Sequence, residues 1–304
     1  MDLSIIIVSW NTRALLDQCL RSIYETLEGG EIGVFVVDNA SSDGSPQMVE
    51  EKYPETRLIN NQENIGFARA NNQAIGQAES RYVLLLNPDT ILQPGAIPRL
   101  LRFMDTHPDA GAAGPRLLNP DHTLQTSCYP IPTVGREFWR LFHLDRVHHY
   151  GTYDMAGWGG HAVKEVDVIQ GACLILRKTA LDQVGYLDED YFIYTEEVDL
   201  CYRLRCAGWR LHWIPDAEVI HYGEQSTKQL APEMFLHLYK SKITFFRKNY
   251  GYLSMGAYKL ILTGAAIARL AATPLALVEP PDARKKHFDL AKNYRNLIWH
   301  IPNM

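Results

Sequence analysis

The first third of the chain alternates short aliphatic and β-branched runs with amphipathic stretches, the pattern of a parallel sheet joined by crossover helices. Residues 3–9, 34–38, 57–60 and 82–87 read as strands. Apolar positions three and four apart predict helices over 13–27 and 67–77, and a third over 94–107 opens on Pro94, a residue suited to a first helical turn. Residues 116–165 are rich in Pro, Gly, His and aromatics without clear periodicity, and so read as a binding loop or lid. After them come a strand over 166–177, a helix over 196–207 and a hairpin or paired strands over 209–222.

The early strands end directly in polar residues. Ligands in open α/β sheets bind beyond the carboxyl ends of the strands, so Ser9, Asn11, Asp38, Asn39 and Asp89 are expected along one edge. In VVDNASSDGS (36–45), Asp38 can accept hydrogen bonds from a base or ribose, while Asp43 or Ser45 caps the following helix. NIGFARANNQAI (64–75) places a glycine at a helix start, where backbone amides favour a phosphate or ribose; a solvated amphipathic helix is the alternative. LLLNPDT (84–90) carries a buried strand to Asp89. Hard cations such as Mg²⁺ or Mn²⁺ take oxygen ligands and bridge diphosphates, so one or two protein carboxylates suffice.

The acids Asp188, Glu189, Asp190, Glu196, Glu197 and Asp199 crowd the start of the 196–207 helix. On that helix Glu197 shares a face with Cys201, whereas Glu196 and Asp199 lie elsewhere, so the three cannot share one role. Glu197 is the expected general base, with Glu196 and Asp199 as the other catalytic candidates. His221 ends a strand just before Gly223 and is a candidate metal ligand.

Charge adds a second theme. The net charge is only −5, yet from Lys228 onward 12 Lys and Arg face 4 Asp and Glu, a local +8 against −13 over the rest. Such a tail suits anionic lipid or nucleic acid better than a small anion alone. Within the apolar run 260–278, Lys259, Thr263, Arg269 and Thr273 fall on about a third of a helical wheel, which predicts an in-plane amphipathic helix with Lys242, Arg247, Lys248 and Arg284 to Lys286 facing headgroups. Five cysteines without a CxxC pair signal neither a disulfide framework nor a zinc site and fit a reducing compartment. The first apolar run ends at Val8, too short for a leader or a span, so a cytoplasmic protein is expected.

The ordered set VSWN (8–11), VVDNASSDGS, NIGFARANN, LLLNPDT, GACLILRK (171–178), YTEEVDL (194–200) and IHYGEQS (220–226) resembles family-two inverting glycosyltransferases of the GT-A fold, and most closely their bacterial rhamnosyltransferase-type members. The resemblance implies a Rossmann-like mixed sheet flanked by helices over residues 1–226, with a C-terminal helical, basic appendage over 227–304. It also implies that Ser9, Asn11, Asp38 and Asn39 hold the nucleoside, that Gly66, Phe67, Asn71 and Asn87 line the donor site, and that Asp89 with His221 binds a divalent cation, Mg²⁺ or Mn²⁺. Gly171 and Ala172 would floor the acceptor site and Glu197 would be the base. Two departures stand out: Asn87 replaces the first acid of the usual Asp-x-Asp, and a glutamate stands where the base is commonly aspartate.

By the same resemblance the donor is a nucleoside-diphosphate sugar, dTDP-L-rhamnose before galactofuranose, glucose or N-acetylhexosamine donors. The acceptor is a saccharide, lipid-linked at the inner face of a membrane, in cell-envelope polysaccharide synthesis. Nucleic acid is not an expected partner, and self-association stays open. A nicotinamide dehydrogenase is excluded, because VSWNTR stands where G-x-G-x-x-G would be. A nucleotidyltransferase of the same fold and a non-catalytic saccharide-binding scaffold remain as alternatives.

Overall fold

Strand β1 (Leu3–Ser9) is buried at every position, as a strand with helices on both sides must be. The computed structural model describes residues 1–26, 31–160, 162–223, 231–278 and 280–304. After β1 come α1 (Arg13–Thr26), β2 (Ile32–Asp38), α2 (Ser45–Lys52), β3 (Arg57–Asn60), α3 (Phe67–Ile75), β4 (Tyr82–Leu86), β5 (Thr90–Leu92) and α4 (Ala96–Thr106). Next are β6 (Ala110–Leu118), β7 (Cys128–Tyr129), α5 (Val134–Leu141), β8 (Lys164–Val166), β9 (Val168–Ile169) and β10 (Cys173–Arg177). The chain ends with α6 (Lys178–Val184), α7 (Glu196–Cys206), β11 (Arg210–His221), α8 (Ala231–Ala272) and α9 (Pro281–His300).

Nine strands form one mixed sheet in the order β3-β2-β1-β4-β10-β6-β11-β5, with β8 on β11. Strands β1 to β4 run parallel, and the register aligns Ser9 with Asp38 and Ile7 with Leu86. Asp38 in turn aligns with Asn60. Strand β10 runs antiparallel, pairing Cys173 with Leu86, so the 171–172 segment begins at the edge where the parallel strands stop. Side chains alternate across the sheet. Leu3, Ile5 and Ile7 pack with α1, α2 and α4, whereas Ile6 and Val8 pack with α3, α6 and α7.

Several expectations are corrected. The 209–222 segment is one strand, β11, because its three neighbours all come from elsewhere in the sequence, β6 in parallel and β5 and β8 antiparallel. The expected strand over 166–177 is three, interrupted at Asp167 and across 170–172. Pro94 lies before α4, whose start is set by Gly95 at φ 79°. Strands β5 and β6 and helix α6 had no periodicity long enough to read. Leu27, the expected end of α1, and Glu224 to Ser226 of the IHYGEQS motif lie outside the described residues.

The chain forms two compact units, residues 1–131 with 153–229 and residues 132–152 with 230–304. The expected boundary at 226 and 227 falls outside the described residues. In the second unit, α8 is broken at Gly251 (φ 82°) and packs with α5 and α9 around Leu141, Ile243, Phe246, Tyr258, Leu262 and Leu297. Thr133 caps α5 by accepting from the Arg136 amide.

This packing reverses the expected facing of the basic residues. Arg269 donates to the Leu141 carbonyl at 2.5 Å and stacks 5.2 Å over Tyr294, and Lys259 donates to the Met304 carbonyl at 2.6 Å. Lys242 meets no headgroup: it pairs at 2.7 Å with Glu137, which is 1% exposed and also holds Arg140 at 3.2 Å. Burial alone would raise the Glu137 carboxyl, but Lys242 and Arg140 hold it below its ordinary range. The partners come from the 132–152 insertion, about a hundred residues upstream of α8, so no local pattern shows them. Replacing Lys242 with Met leaves a buried carboxylate with Arg140 alone; urea denaturation should show a loss of about 2–3 kcal/mol.

Candidate active site

Where β1 and β2 stop together, their polar ends tie into one network. The Asn39 amide donates to the Ser9 carbonyl at 2.8 Å, and Ser9 Oγ meets Thr12 Oγ1 at 3.0 Å. Asn11, at φ 51°, accepts from the Ser42 amide at 2.8 Å, and its own amide donates to Ser41 Oγ at 2.9 Å. Asp43, not Ser45, organises the next turn by accepting from the amides of Arg13 and Ser45. Asp38 accepts from the Ser41 amide through Oδ1 at 2.7 Å, while its Oδ2 is buried without a hydrogen-bond partner. Burial raises the Asp38 carboxyl above its ordinary range, so a donor group on a ligand would find an acceptor waiting there.

Beside this network, Asn39 Nδ2 donates to the Gly66 carbonyl at 3.2 Å. Gly66 is at φ 87°, and a Cβ there would lie 2.6 Å from the Phe192 carbonyl, so only glycine fits where α3 begins. Asn71 is 1% exposed and donates back to the Phe67 carbonyl at 2.9 Å. Its side-chain Nδ2 thus supports its own helix.

A second group forms where β4, β5 and β11 meet. Asp89 follows β4, and His221 ends β11, paired with Thr90 of β5. His221 Nε2 lies 3.3 Å from Asp89 Oδ1, and both side chains are buried. Gln125 donates through Nε2 to the His221 backbone carbonyl and to Asn119 Oδ1, which turns its Oε1 toward His221 Nδ1 at 2.6 Å. Nδ1 therefore carries the imidazole proton, and Nε2 presents a lone pair with no hydrogen-bond partner. Two acceptors facing each other at this spacing match the edge of a cation's coordination shell, where cis ligands at about 2.1 Å sit about 3.0 Å apart. Among the described residues no third His, Cys, Asp or Glu joins them.

The third group is at the start of α7. Tyr194 (φ 66°) and Thr195 (φ 72°) are both left-handed without being glycine, a strained turn of the kind that concentrates at functional sites. It presents Glu196 and Glu197. Burial raises both carboxyls, and Glu196 rises further because the Glu197 charge opposes its ionisation. The pair therefore keeps a proton at pH values where a free glutamate would have lost it, and the Oε2 of Glu196 is buried without a hydrogen-bond partner. Gly171 faces Glu197, its missing Cβ falling 3.6 Å from Glu197 Cβ. Asp199 does not join this pair: it binds Arg203 at 2.7 Å and accepts from the Tyr191 hydroxyl at 3.3 Å. Arg203 in turn donates to the carbonyls of Val184, Gly185 and Tyr186, so Asp199 anchors α7.

One cavity of about 480 Å³ collects the second and third groups. Asn87, Asp89 and His221 line it with Glu196, Glu197, Gly171, Ala172 and Phe67. Ser9, Asn11, Asp38 and Asn39 lie at the neighbouring strand ends and outside its lining. Sequence reading missed Gln125, which sets the His221 tautomer, and Tyr129, Gln170 and Tyr194, which also line the cavity. Gln125 lay in a stretch without periodicity, and nothing marked it as the partner of a residue 96 positions away.

Residues 4–162 match the family described as Glycosyl transferase family 2. The N-acetylglucosaminyl-diphospho-decaprenol L-rhamnosyltransferase of Mycobacterium tuberculosis is 31% identical over 244 residues, 74% of this chain and 77% of that protein. Rhamnosyltransferase WbbL of Escherichia coli is 25% identical over 193 residues, 60% of this chain and 71% of its own. A mannosyltransferase from Pyrobaculum calidifontis, solved with GDP-Man and Mn²⁺, superposes with a TM-score of 0.59 at 19% identity, over 99% of this chain and 84% of that one. S. aureus TarS 1–349 superposes with a TM-score of 0.53 at 16% identity, over 100% and 92%. The expected fold is borne out, and the chain belongs to glycosyl transferase family 2 as a glycosyltransferase of GT-A fold.

Proposed function

We propose that the chain transfers L-rhamnose, with inversion, from dTDP-L-rhamnose to a hydroxyl of a lipid-linked saccharide at the cytoplasmic face of a membrane. The observation that carries this reading is that Glu197 and the Asp89–His221 pair line one cavity, with Gly171 and Ala172 beside the carboxylate. The choice of sugar and lipid-linked acceptor rests on the rhamnosyltransferase relatives, one of which is described as acting on an N-acetylglucosaminyl-diphospho-decaprenol.

In this reading Glu197 accepts the proton of the acceptor hydroxyl as it attacks the anomeric carbon. Asp38 Oδ2 takes a hydrogen bond from the base or ribose, and Asn39 and Asn11 brace the loop that holds it. The Gly66 amide is held by Asn64 Oδ1 at 3.0 Å and the Phe67 amide by the Phe192 carbonyl at 2.7 Å, so in this reading α3 contributes the Phe67 side chain to the cavity wall. Asp89 Oδ1 and His221 Nε2 are the atoms that would hold a divalent cation, Mg²⁺ or Mn²⁺, at this site. When bound, such a cation offsets the charge developing on the departing nucleoside diphosphate. Asn87 lines the cavity, but as an amide it offers the cation only a neutral oxygen, so of the Asn87 and Asp89 positions only Asp89 supplies a carboxylate.

Glu197→Gln should lower turnover by about 10²- to 10⁴-fold while dTDP still raises the melting temperature as in the wild type. Equal turnover would remove Glu197 from the base role. Asp89→Asn should abolish the Mn²⁺-dependent part of that thermal shift and leave any metal-independent part; an unchanged metal response would place the cation elsewhere.

Because the native carboxyls hold protons longer than the unfolded chain, stability falls as pH rises from the ordinary carboxylate range through their raised values. Glu196→Gln should therefore raise the melting temperature near neutral pH by about 2–4 °C, with no gain below the ordinary carboxylate range. The same upward shift puts the acid limb of the wild-type rate profile above the range of a free glutamate, which initial rates against pH will read directly.

A further inference from the structure

The second unit turns the expected amphipathic helix around. Its only basic residues between Tyr252 and Val278 are Lys259 and Arg269, and both point inward to the Met304 and Leu141 carbonyls. Thr263 and Thr273 donate to the carbonyls one turn back. The opposite face is left without a charge: every exposed residue from 252 to 278 is apolar, glycine, proline or tyrosine. Leu253 is 92% exposed, Leu260 76%, Ile267 54% and Val278 91%. On the helix, positions 253, 260, 264, 267 and 271 fall on one stripe, and Trp299 of α9, 81% exposed, adds an aromatic of the kind enriched at membrane interfaces.

Soluble monomers rarely leave so continuous an apolar stripe to water. The charge of the unit names its occupant. Residues 132–152 and 230–304 hold 14 Lys and Arg against 6 Asp and Glu, with Arg247, Lys248, Lys285 and Lys286 exposed on either side of the stripe in sequence. The stretch is long and apolar enough by composition to cross a membrane. Its other face packs in the core of the unit through Tyr258, Leu262, Ala265 and Ala266, which leaves one apolar stripe exposed along the helix, the arrangement of a helix lying in an interface.

We propose that this face docks in the plane of an anionic phospholipid bilayer, with Leu253, Leu260, Ile267, Val278 and Trp299 entering the headgroup region and Lys285 and Lys286 meeting lipid phosphate. The proposal is independent of the donor and acceptor assigned above and is read without turnover. Full-length protein would be sedimented with phosphatidylcholine vesicles, with and without phosphatidylglycerol, at low and high salt.

The wild type should pellet with the anionic vesicles and release with salt. Leu260→Glu with Ile267→Glu should cut the partition at least about tenfold. Lys285→Ala with Lys286→Ala should weaken binding to anionic vesicles by roughly thirtyfold, from about 1 kcal/mol per charge, and leave neutral vesicles unaffected. All four positions are exposed or on the rim, so both variants should melt like the wild type; the Leu260→Ser with Ile267→Ser pair reads the same loss should the glutamates lower the melting point. Wild-type protein that stays in the supernatant, variants that pellet equally, or equal binding to neutral vesicles would overturn the proposal. So would a lipid-free dimer that the glutamate variant dissociates, with no vesicle binding, which would assign the face to a second copy of the chain.

Discussion

The parallel register of β1 between β2 and β4 is the constraint on which the rest of the first unit depends. It aligns Ser9 with Asp38 and Ile7 with Leu86, so every crossover returns its polar residues to one edge. A shift of one residue would send Ile5 and Ile7 to the wrong core layer, because side chains alternate with a period of two. The hydrophobic core therefore enforces the geometry of the polar site beside it, whose cavity Val8 and Ala172 of that core also line. The reversed strand β10 closes the edge, since its pairing with β4 carries Gly171 and Ala172 next to Asn87, whose amide donates to the Ala172 carbonyl at 2.9 Å.

What could be read from sequence follows from this. Strands β1 to β4 carry their own signal, a continuous apolar run ending in a polar residue, and so Asp38, Asp89 and the edge itself were legible. The long strand β11 was not. Its partners β6 and β5 come from elsewhere in the chain, and a twelve-residue run holding Pro215 and Asp216 reads locally as a turn. Within the site, residue type pointed to Glu197 and His221, whereas the roles of Asp199 and Asn71 depended on what each touches. Asp199 looks as catalytic as its neighbours until Arg203, four residues on, is seen to hold it. The strained pair Tyr194 and Thr195 has no sequence signal at all, because neither is the glycine that a positive φ favours.

The second unit shows a different failure of local reading. A helical wheel separates polar from apolar, but it cannot say which side faces water. Lys259 and Arg269 are inside because open carbonyls at Met304 and Leu141 meet them there. A buried cation with charge-assisted hydrogen bonds and an aromatic face costs less than one left unpaired. The apolar side is then outside by default, and the wheel is inverted.

The Glu196–Glu197 pair joins stability to chemistry. Two adjacent carboxyls in a cavity cannot both ionise cheaply, and the fold tolerates them because one keeps its proton. That arrangement destabilises the native state at neutral pH, yet it raises the basicity of the carboxylate that remains. A base of ordinary carboxylate strength would take a hydroxyl proton poorly, since proton transfer strengthens as the acceptor's pKa climbs toward the working pH. The strained 194–195 turn and the Asp199–Arg203 anchor hold α7 so that this costly pair stays in the cavity. In the proposed role of Glu197 as base, its own burial is what raises its basicity, at a cost in stability that Glu196 adds to, and the Asp199–Arg203 pair holds the start of α7 in place.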